Sequence, residues 1–460
     1  MSNNASPQPV QFYKQHEKVY PRETKGFFQR LRNITLLVLL GIYYVTPWIM
    51  WNGRQAILFD LPARKFHIFG LTMWPQDFFF LTLLLIMAGL SLFFFTALAG
   101  RLWCGYACPQ TVWTDAFIWM ERLVEGSRAQ QMKLAKSPWT PEKIRKRVLK
   151  QVMWVSFSLW TGFTFVGYFT PIKELAGLLW TFDASFWQLF WVLFYGFATY
   201  GNAGFLREQV CKYMCPYARF QSAMFDKDTL VIAYDEARGE PRMKGKKRNE
   251  NADKAGDCID CGLCVQVCPT GIDIRNGLQY ECIACAACID VCNEVMDGVG
   301  KPRNLVQYTT EATTEGRKTK ILRLRIVIYA SLLGALAIGF LIALMMRSSV
   351  QMDILRDRNA LYKVVSGNQI ENTYNLKVMN KSHVDQRYQL VIEGLPDAKV
   401  EMVNDRVVKA GEIANITAQV TVPKDKLVAA SQTVHLKLSE LEGDSPDSIT
   451  EETRFFGPGQ

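Results

Sequence analysis

Apolar residues are bunched along this chain in five stretches, at residues 34–51, 78–98, 152–170, 186–206 and 326–346. A helix needs about 20 consecutive apolar residues to cross the hydrocarbon core of a bilayer. The second stretch (FFFLTLLLIMAGLSLFFFTAL) and the fifth (IVIYASLLGALAIGFLIALMM) carry no charge. The pattern therefore predicts five membrane helices. A polar leader precedes the first run and has no small-residue cleavage site, so that run reads as a span and not as a signal peptide.

Beyond residue 347 the pattern changes to alternation. Tyr374, Leu376 and Val378, then Tyr388, Leu390 and Ile392, then Ile416, Ala418, Val420 and Val422, then Val434, Leu436 and Leu438 recur every second residue. Period two predicts half-buried strands, and turn residues at 394–396, 409–411 and 423 separate them. The expected architecture is a multi-domain membrane protein. It has a leader (1–33), a four-helix transmembrane region (34–225), a ferredoxin-like α+β insert (226–321), a fifth transmembrane helix (322–347) and an all-β, immunoglobulin-like sandwich (348–460).

Charge adds an orientation. The chain has 460 residues, a formal charge of +10 and a mean hydropathy of +0.01, an average that conceals both greasy and charged segments. Lys and Arg number 6 in residues 1–33, 3 in 53–76, 10 in 100–151, 1 in 171–185 and 19 in 207–325. Cytoplasmic loops collect Lys and Arg. The leader and the 100–151 and 207–325 segments are therefore expected on the cytoplasmic side, facing anionic lipid. The tail, with 14 Lys and Arg against 16 Asp and Glu, is expected outside. In this setting the basic run at 244–248 does not indicate nucleic-acid binding.

The 12 cysteines carry the candidate chemistry, and only 4 His are present. Cys258-x2-Cys261-x2-Cys264-x3-Cys268-Pro269 is the bacterial ferredoxin run for a [4Fe–4S] cluster. Cys282-x2-Cys285-x2-Cys288-x3-Cys292 repeats the spacing with Asn293 in place of proline. Cross-ligation of the two-cluster ferredoxin kind would give one cluster Cys258, Cys261, Cys264 and Cys292, and the other Cys268, Cys282, Cys285 and Cys288. A zinc ribbon would leave four of these cysteines unused. The small residues Ala284, Ala286 and Ala287 suit tight wrapping of a cluster.

Two further pairs, Cys104/Cys108 and Cys211/Cys215, share the pattern Cys-x-Tyr-x-Cys-Pro, each just after an even-numbered run. Spans one–two and three–four thus read as an internal repeat. Cys108 and Cys215 precede proline, which pushes them out of helical geometry, and the next helix should start at the proline. A helix N-terminus favours thiolate. If the repeats pack about a pseudo-twofold axis, the four thiolates converge. They would then hold a third Fe–S cluster or Cu(I), which thiolates prefer; two inert thiol pairs are the plainer alternative. His383, His435 and Met379 in the tail could bind copper but read more simply as scattered residues. Trp113, Phe117, Ile118 and Met120 predict a helix on the membrane surface.

WCGYACPQTVW from Trp103, CKYMCPYARFQ from Cys211, the two cysteine quartets, the β tail and FDLPARKFHIFGLTMWPQDF from Phe59 together resemble the cytochrome c oxidase accessory protein family, CcoG/FixG/RdxA. The resemblance covers nearly the whole chain. It implies a bacterial inner-membrane polyferredoxin that serves assembly of a cbb3-type oxidase and reduces Cu(II) to Cu(I). It makes the eight quartet cysteines cluster ligands, and Cys104, Cys108, Cys211 and Cys215 the copper-contacting or extra redox thiols. The implied partners are oxidase assembly factors, a copper transporter or chaperone and a cytoplasmic electron donor, with homodimerisation left open. An electron-transfer subunit working from a cytoplasmic or quinol donor without copper, and a non-catalytic assembly scaffold, are the alternatives.

Overall fold

The computed structural model describes residues 18–245, 254–357, 360–382, 384–403, 406–441 and 447–458. His16, His383 and most of the basic run at 244–248 lie outside the described residues. The chain divides into two compact units, residues 1–337 and 338–460.

Helices occupy all five apolar stretches, but two, Pro75–Ala99 and Leu324–Met345, are long and apolar enough to cross a membrane. The other three are interrupted or charged, for local reasons. The first helix, Phe27–Val45, begins with Arg30 and Arg32 and gives way to a 3₁₀ turn at Thr46–Trp48, where Pro47 ends the helical hydrogen bonding. The third, Pro141–Val166, starts earlier than its apolar stretch and carries Glu142, Lys143, Arg145, Lys146, Arg147 and Lys150 in its first half. The fourth, Phe186–Thr199, passes into a π-helical segment, Tyr200–Leu206.

The helix Pro109–Glu125 packs the expected apolar residues against the protein. Phe117, Ile118 and Met120 are buried, and Phe117 meets the Trp154 ring at 5.3 Å. Its outward residues are instead Trp119 and Leu123. Below Phe117 lies a buried ionic network. Glu121 takes Arg207 at 2.8 Å and Lys150 at 3.5 Å, together with Lys18. Glu125 takes Lys150 at 2.8 Å and Arg147 at 3.2 Å. Burial alone would raise the Glu121 carboxyl, but Arg207 and Lys18 outweigh it and hold it at about 2.

The ferredoxin-like insert is closed by a two-stranded antiparallel ribbon that pairs Val231–Tyr234 with Val306–Thr309, so chain entry and exit lie side by side. Between them run the short helix Leu263–Gln266 and the helix Ala287–Gly298.

The second unit is an immunoglobulin-like β-sandwich. In one sheet Ile413–Pro423 lies between Lys399–Met402 and Gln369–Asn380, and Gln369–Asn380 also pairs with Val350–Arg356 and Lys363–Val365. The other sheet orders Tyr388–Glu393, Ser431–Glu440 and Ser448–Phe456. The alternating residues face inward: Leu376 pairs with Ile416 in the first sheet and Leu390 with Leu438 in the second, and all four join one core. Met379 is buried on the first sheet and His435 is exposed on the second, so the two are not brought together.

Candidate functional site

Both ferredoxin runs bend the backbone in the same way. Asp260 (φ 51°) and Gly262 (φ 65°) stand two and four residues after Cys258, and Ala284 (φ 53°) and Ala286 (φ 59°) stand two and four after Cys282. Positive φ alternating with ordinary backbone forms concave nests of N–H groups, a geometry that suits anionic Fe–S centres. The aspartate turn is pinned by Arg275, whose Nη1 donates to Asp260 Oδ1 at 2.6 Å and Nη2 to Asp273 Oδ2 at 2.7 Å. In the second run the charged contact is to the backbone, from Arg101 to the Cys282 carbonyl, and the small side chains of Ala284 and Ala286 are buried.

The four-residue sets close on two cavities. Cys258, Cys261, Cys264 and Cys292 line the outer one, beneath Tyr234 and Leu305. Cys268, Cys282, Cys285 and Cys288 line the inner one, walled by Ile232, Ile272, Ile274 and Ile283. Cys264 also borders the inner cavity, so the two share a wall. The last cysteine of each run thus stands with the first three of the other. Four cysteines around an apolar, N–H-lined cavity is the donor set that a [4Fe–4S] cubane takes. Burial pushes the thiols of Cys282 and Cys292 up to about 12 and Cys264 up to about 11. Thiolates here therefore need a strong local cation, which cluster iron supplies. Among the described residues no three His, Cys, Asp or Glu side chains are close enough to hold a single metal ion.

The remaining four cysteines come from a repeated backbone path. Gly100 (φ 56°, ψ −119°) and Arg207 (φ 41°, ψ −111°) end their helices in the same turn, each four residues before the first cysteine of its pair. Cys104 lies in the helix Leu102–Tyr106 and Cys211 in the π turn Val210–Met214. Cys108 and Cys215 then cap the helices Pro109–Glu125 and Pro216–Met224 in extended conformation, with proline at the first helical position. Every pair among the four thiols lies within electrostatic reach, although no three of them stand close enough to hold a single metal ion. At Cys108 the helix end does not prevail in favour of thiolate, contrary to expectation. Burial pushes Cys104 up to about 11 and Cys211 up to about 12. Burial also raises Cys108, although the backbone N–H groups of Thr111 and Gln110 oppose it.

This third set abuts the inner cavity. Cys104 packs against the cluster formed by Ile283, Cys285 and Val291. Gly105 sits so tightly that a Cβ would lie 2.6 Å from the Ile283 carbonyl oxygen and 2.9 Å from that of Ala284. Tyr308 donates to the Ala284 carbonyl at 2.6 Å and approaches the Tyr106 hydroxyl at 3.4 Å. Arg101 donates to the carbonyls of Tyr280, Cys282 and Ala218. The sequence singled out none of Arg101, Gly105 and Tyr308, because their partners are distant in the chain. The one available signal was the glycine inside the first Cys-x3-Cys pair, where Lys212 stands in the second.

Family profiles fall on these same segments. A 4Fe-4S binding domain matches residues 79–125, a 4Fe-4S dicluster domain residues 206–311, and the IG-like fold at the C-terminus of FixG residues 340–458. The chain is 43% identical to protein RdxB of Cereibacter sphaeroides over 409 residues, 86% of each chain. The chain belongs to the FixG/RdxA family. It is 37% identical to the nitrogen fixation protein FixG of Rhizobium meliloti, covering 91% of this chain and 89% of that one. Ferredoxin-type protein NapH of Haemophilus influenzae is 26% identical over 53% of this chain and 86% of its own. A crystal structure of a FixG-related protein from Vibrio parahaemolyticus matches 24% of this chain and 97% of its own, with 32% identity and a TM-score of 0.22. The chain is accordingly an iron–sulfur electron-transfer protein.

Proposed function

We propose that this protein reduces Cu(II) to Cu(I) at its third set of cysteines and hands the copper on for assembly of a cbb3-type oxidase. The carrying observation is that Cys104, Cys108, Cys211 and Cys215 lie within electrostatic reach of one another beside the inner cavity. When bound, one [4Fe–4S] cluster in each cavity supplies one-electron storage and transfer. Cys258, Cys261, Cys264 and Cys292 hold the outer one, and Cys268, Cys282, Cys285 and Cys288 the inner one. The isoleucine walls keep water from the inner site, and Gly105 keeps the third set close to it. Cu(II) is the substrate; it takes one electron, and soft thiolates retain the Cu(I) product.

On this reading the cysteine sites lie at the cytoplasmic face of a multi-pass bacterial inner-membrane protein and the β-sandwich lies outside. The Lys and Arg bias supports that orientation. Strongly exposed Phe186, Trp187 and Phe197 support lipid contact for the helix Phe186–Thr199 as well as for the two long apolar helices. The partners are a cytoplasmic electron donor, a copper transporter or chaperone and oxidase assembly factors.

The test is cupric reduction by full-length protein, purified without oxygen, read with a Cu(I)-specific chelator. Cys104→Ala and Cys211→Ala should each slow it at least about tenfold, about 1.4 kcal/mol in the barrier, with the ferredoxin-type EPR signals intact. Unchanged rates would remove the third set from the reaction.

The second reading is an electron-transfer subunit that carries a third cluster on these four thiols and uses no copper. It is favoured by the 4Fe-4S profile over residues 79–125 and by the likeness to NapH. It expects about twelve iron atoms per chain in place of about eight, at four per cluster, and no cupric reduction.

A further inference from the structure

Arg101 is 6% exposed and stands between the inner cavity and the third set of cysteines. Its Nη1 donates to the Tyr280 carbonyl and, at 3.4 Å, to the Cys282 carbonyl. Its Nη2 donates at 2.5 Å to the carbonyl of Ala218, three residues beyond Cys215. Its Nε has no partner. Among the described residues only carbonyl oxygens meet this guanidinium, and no carboxylate does. Arg207 and Lys150 pair with Glu121 and Arg32 pairs with Asp115, whereas Lys143, equally buried, meets the carbonyls of Ala135 and Ser137 but stands far from the cysteines in the chain.

A buried charge without an opposite charge is costly enough that proteins rarely keep one. The groups on either side of Arg101 supply the missing negative charge once they are ionised: Cys282 of the inner cavity, and Cys104 and Cys211 of the third set all feel its field. The repeat makes the placement one-sided, because the position equivalent to Arg101 in the second half is Glu208.

We propose that Arg101 is the counter-cation shared by the inner quartet and the membrane-edge thiols, and that it sets the order in which the two cavities accept electrons. It is a positioning residue and touches no reacting atom. A fixed positive charge beside the inner quartet favours an added electron there, whereas the cation that lines the outer cavity, Arg275, is already offset by Asp260 and Asp273. Electrons thereby collect next to the membrane-edge thiols. This rests on the ligand sets proposed above.

The experiment is an EPR-monitored redox titration of the full-length protein, comparing wild type with Arg101→Gln and Arg101→Lys. The signal that survives Cys292→Ser identifies the inner cluster. Arg101→Gln should lower the one-electron reduction equilibrium of that cluster about tenfold, about 59 mV. The outer cluster should not move, and Arg101→Lys should restore most of the loss. Arg101→His provides a second route within one folded sample: the inner potential should fall as pH rises through the imidazole range, while wild type stays flat. Equal shifts in both clusters, no shift in either, or the same shift for Lys as for Gln would overturn the proposal and leave Arg101 a carbonyl clamp. If wild type itself holds no cluster in the inner quartet, the ligand assignment fails instead, and iron content reads that separately.

Discussion

The carboxylate of Asp290 caps the helix that opens the chain: the Gln29 backbone N–H donates to its Oδ2 at 2.7 Å, and that of Phe28 to its Oδ1 at 3.3 Å. Asp290 lies between Cys288 and Cys292, so the segment that lines both cavities also completes the first turn of the helix Phe27–Val45. That turn has no acidic residue of its own and no side-chain cap from Gly26. Asp290→Ala should cost about 1 kcal/mol, as lost caps do. Gly26→Ala should act through the same contact, because a Cβ there would stand 2.2 Å from the Asp290 Cγ. Chemical unfolding of the two single variants and the double variant should give non-additive losses, with the double little worse than the poorer single.

Pairwise removal of cysteines tests the crossed arrangement. If each run lends its last cysteine to the other cavity, Cys258→Ser with Cys292→Ser in one chain damages one cavity only. About four iron atoms and one ferredoxin-type EPR signal should remain in the quartets. Cys258→Ser with Cys268→Ser damages both cavities and should lose both signals. An uncrossed arrangement gives the opposite outcomes, and iron and acid-labile sulfide analysis separates the two.

Gly105→Ala should drive the third set of cysteines away from the inner cavity, since the methyl group meets the backbone carbonyls of Ile283 and Ala284, which cannot rotate aside. Overpacking of this kind costs about 1–3 kcal/mol. Electron transfer falls off with distance. The variant should therefore retain both ferredoxin-type clusters by EPR but re-oxidise more slowly when Cu(II) is added under stopped flow. Re-oxidation at the wild-type rate would show that the contact has no part in transfer.

Glu121 links acid stability to the ionic network under Trp154. Its carboxyl is held at about 2 in the folded chain, against 4.5 ordinarily. A depressed folded value stabilises the fold above the ordinary value, and that contribution is lost as pH falls through 4.5 toward 2. The linkage amounts to about 3 kcal/mol. Glu121→Gln should be less stable at neutral pH and show a flatter decline across that window, followed by tryptophan fluorescence.

The cysteine groups were legible in the sequence because their spacing is rigid and few folds use it. The sandwich was legible because period-two alternation survives in every long strand, from Ile370 through Leu438. Three details were not legible, for physical reasons: the continuity of the membrane runs, the face that the helix Pro109–Glu125 buries, and the protonation of Cys108. The membrane runs were judged by apolar content alone, which does not register that Pro47 stops the first helix or that the third begins in a charged stretch. The helix-end argument for Cys108 and Cys215 was sound locally, and both residues do cap their helices. Burial, which depends on what folds over the site, overrides it at Cys108. Arg101 and Asp290 act on partners far along the chain, and one sequence carries no sign of such contacts; for Gly105 the sign is limited to its contrast with Lys212 in the second pair.

The crossed lining also ties the two cavities to one folding event. Cys288 and Cys292 stand on the same helix, Ala287–Gly298, one at each cavity. Neither cavity is complete before that helix forms, although the run that begins at Cys258 leaves the ribosome first.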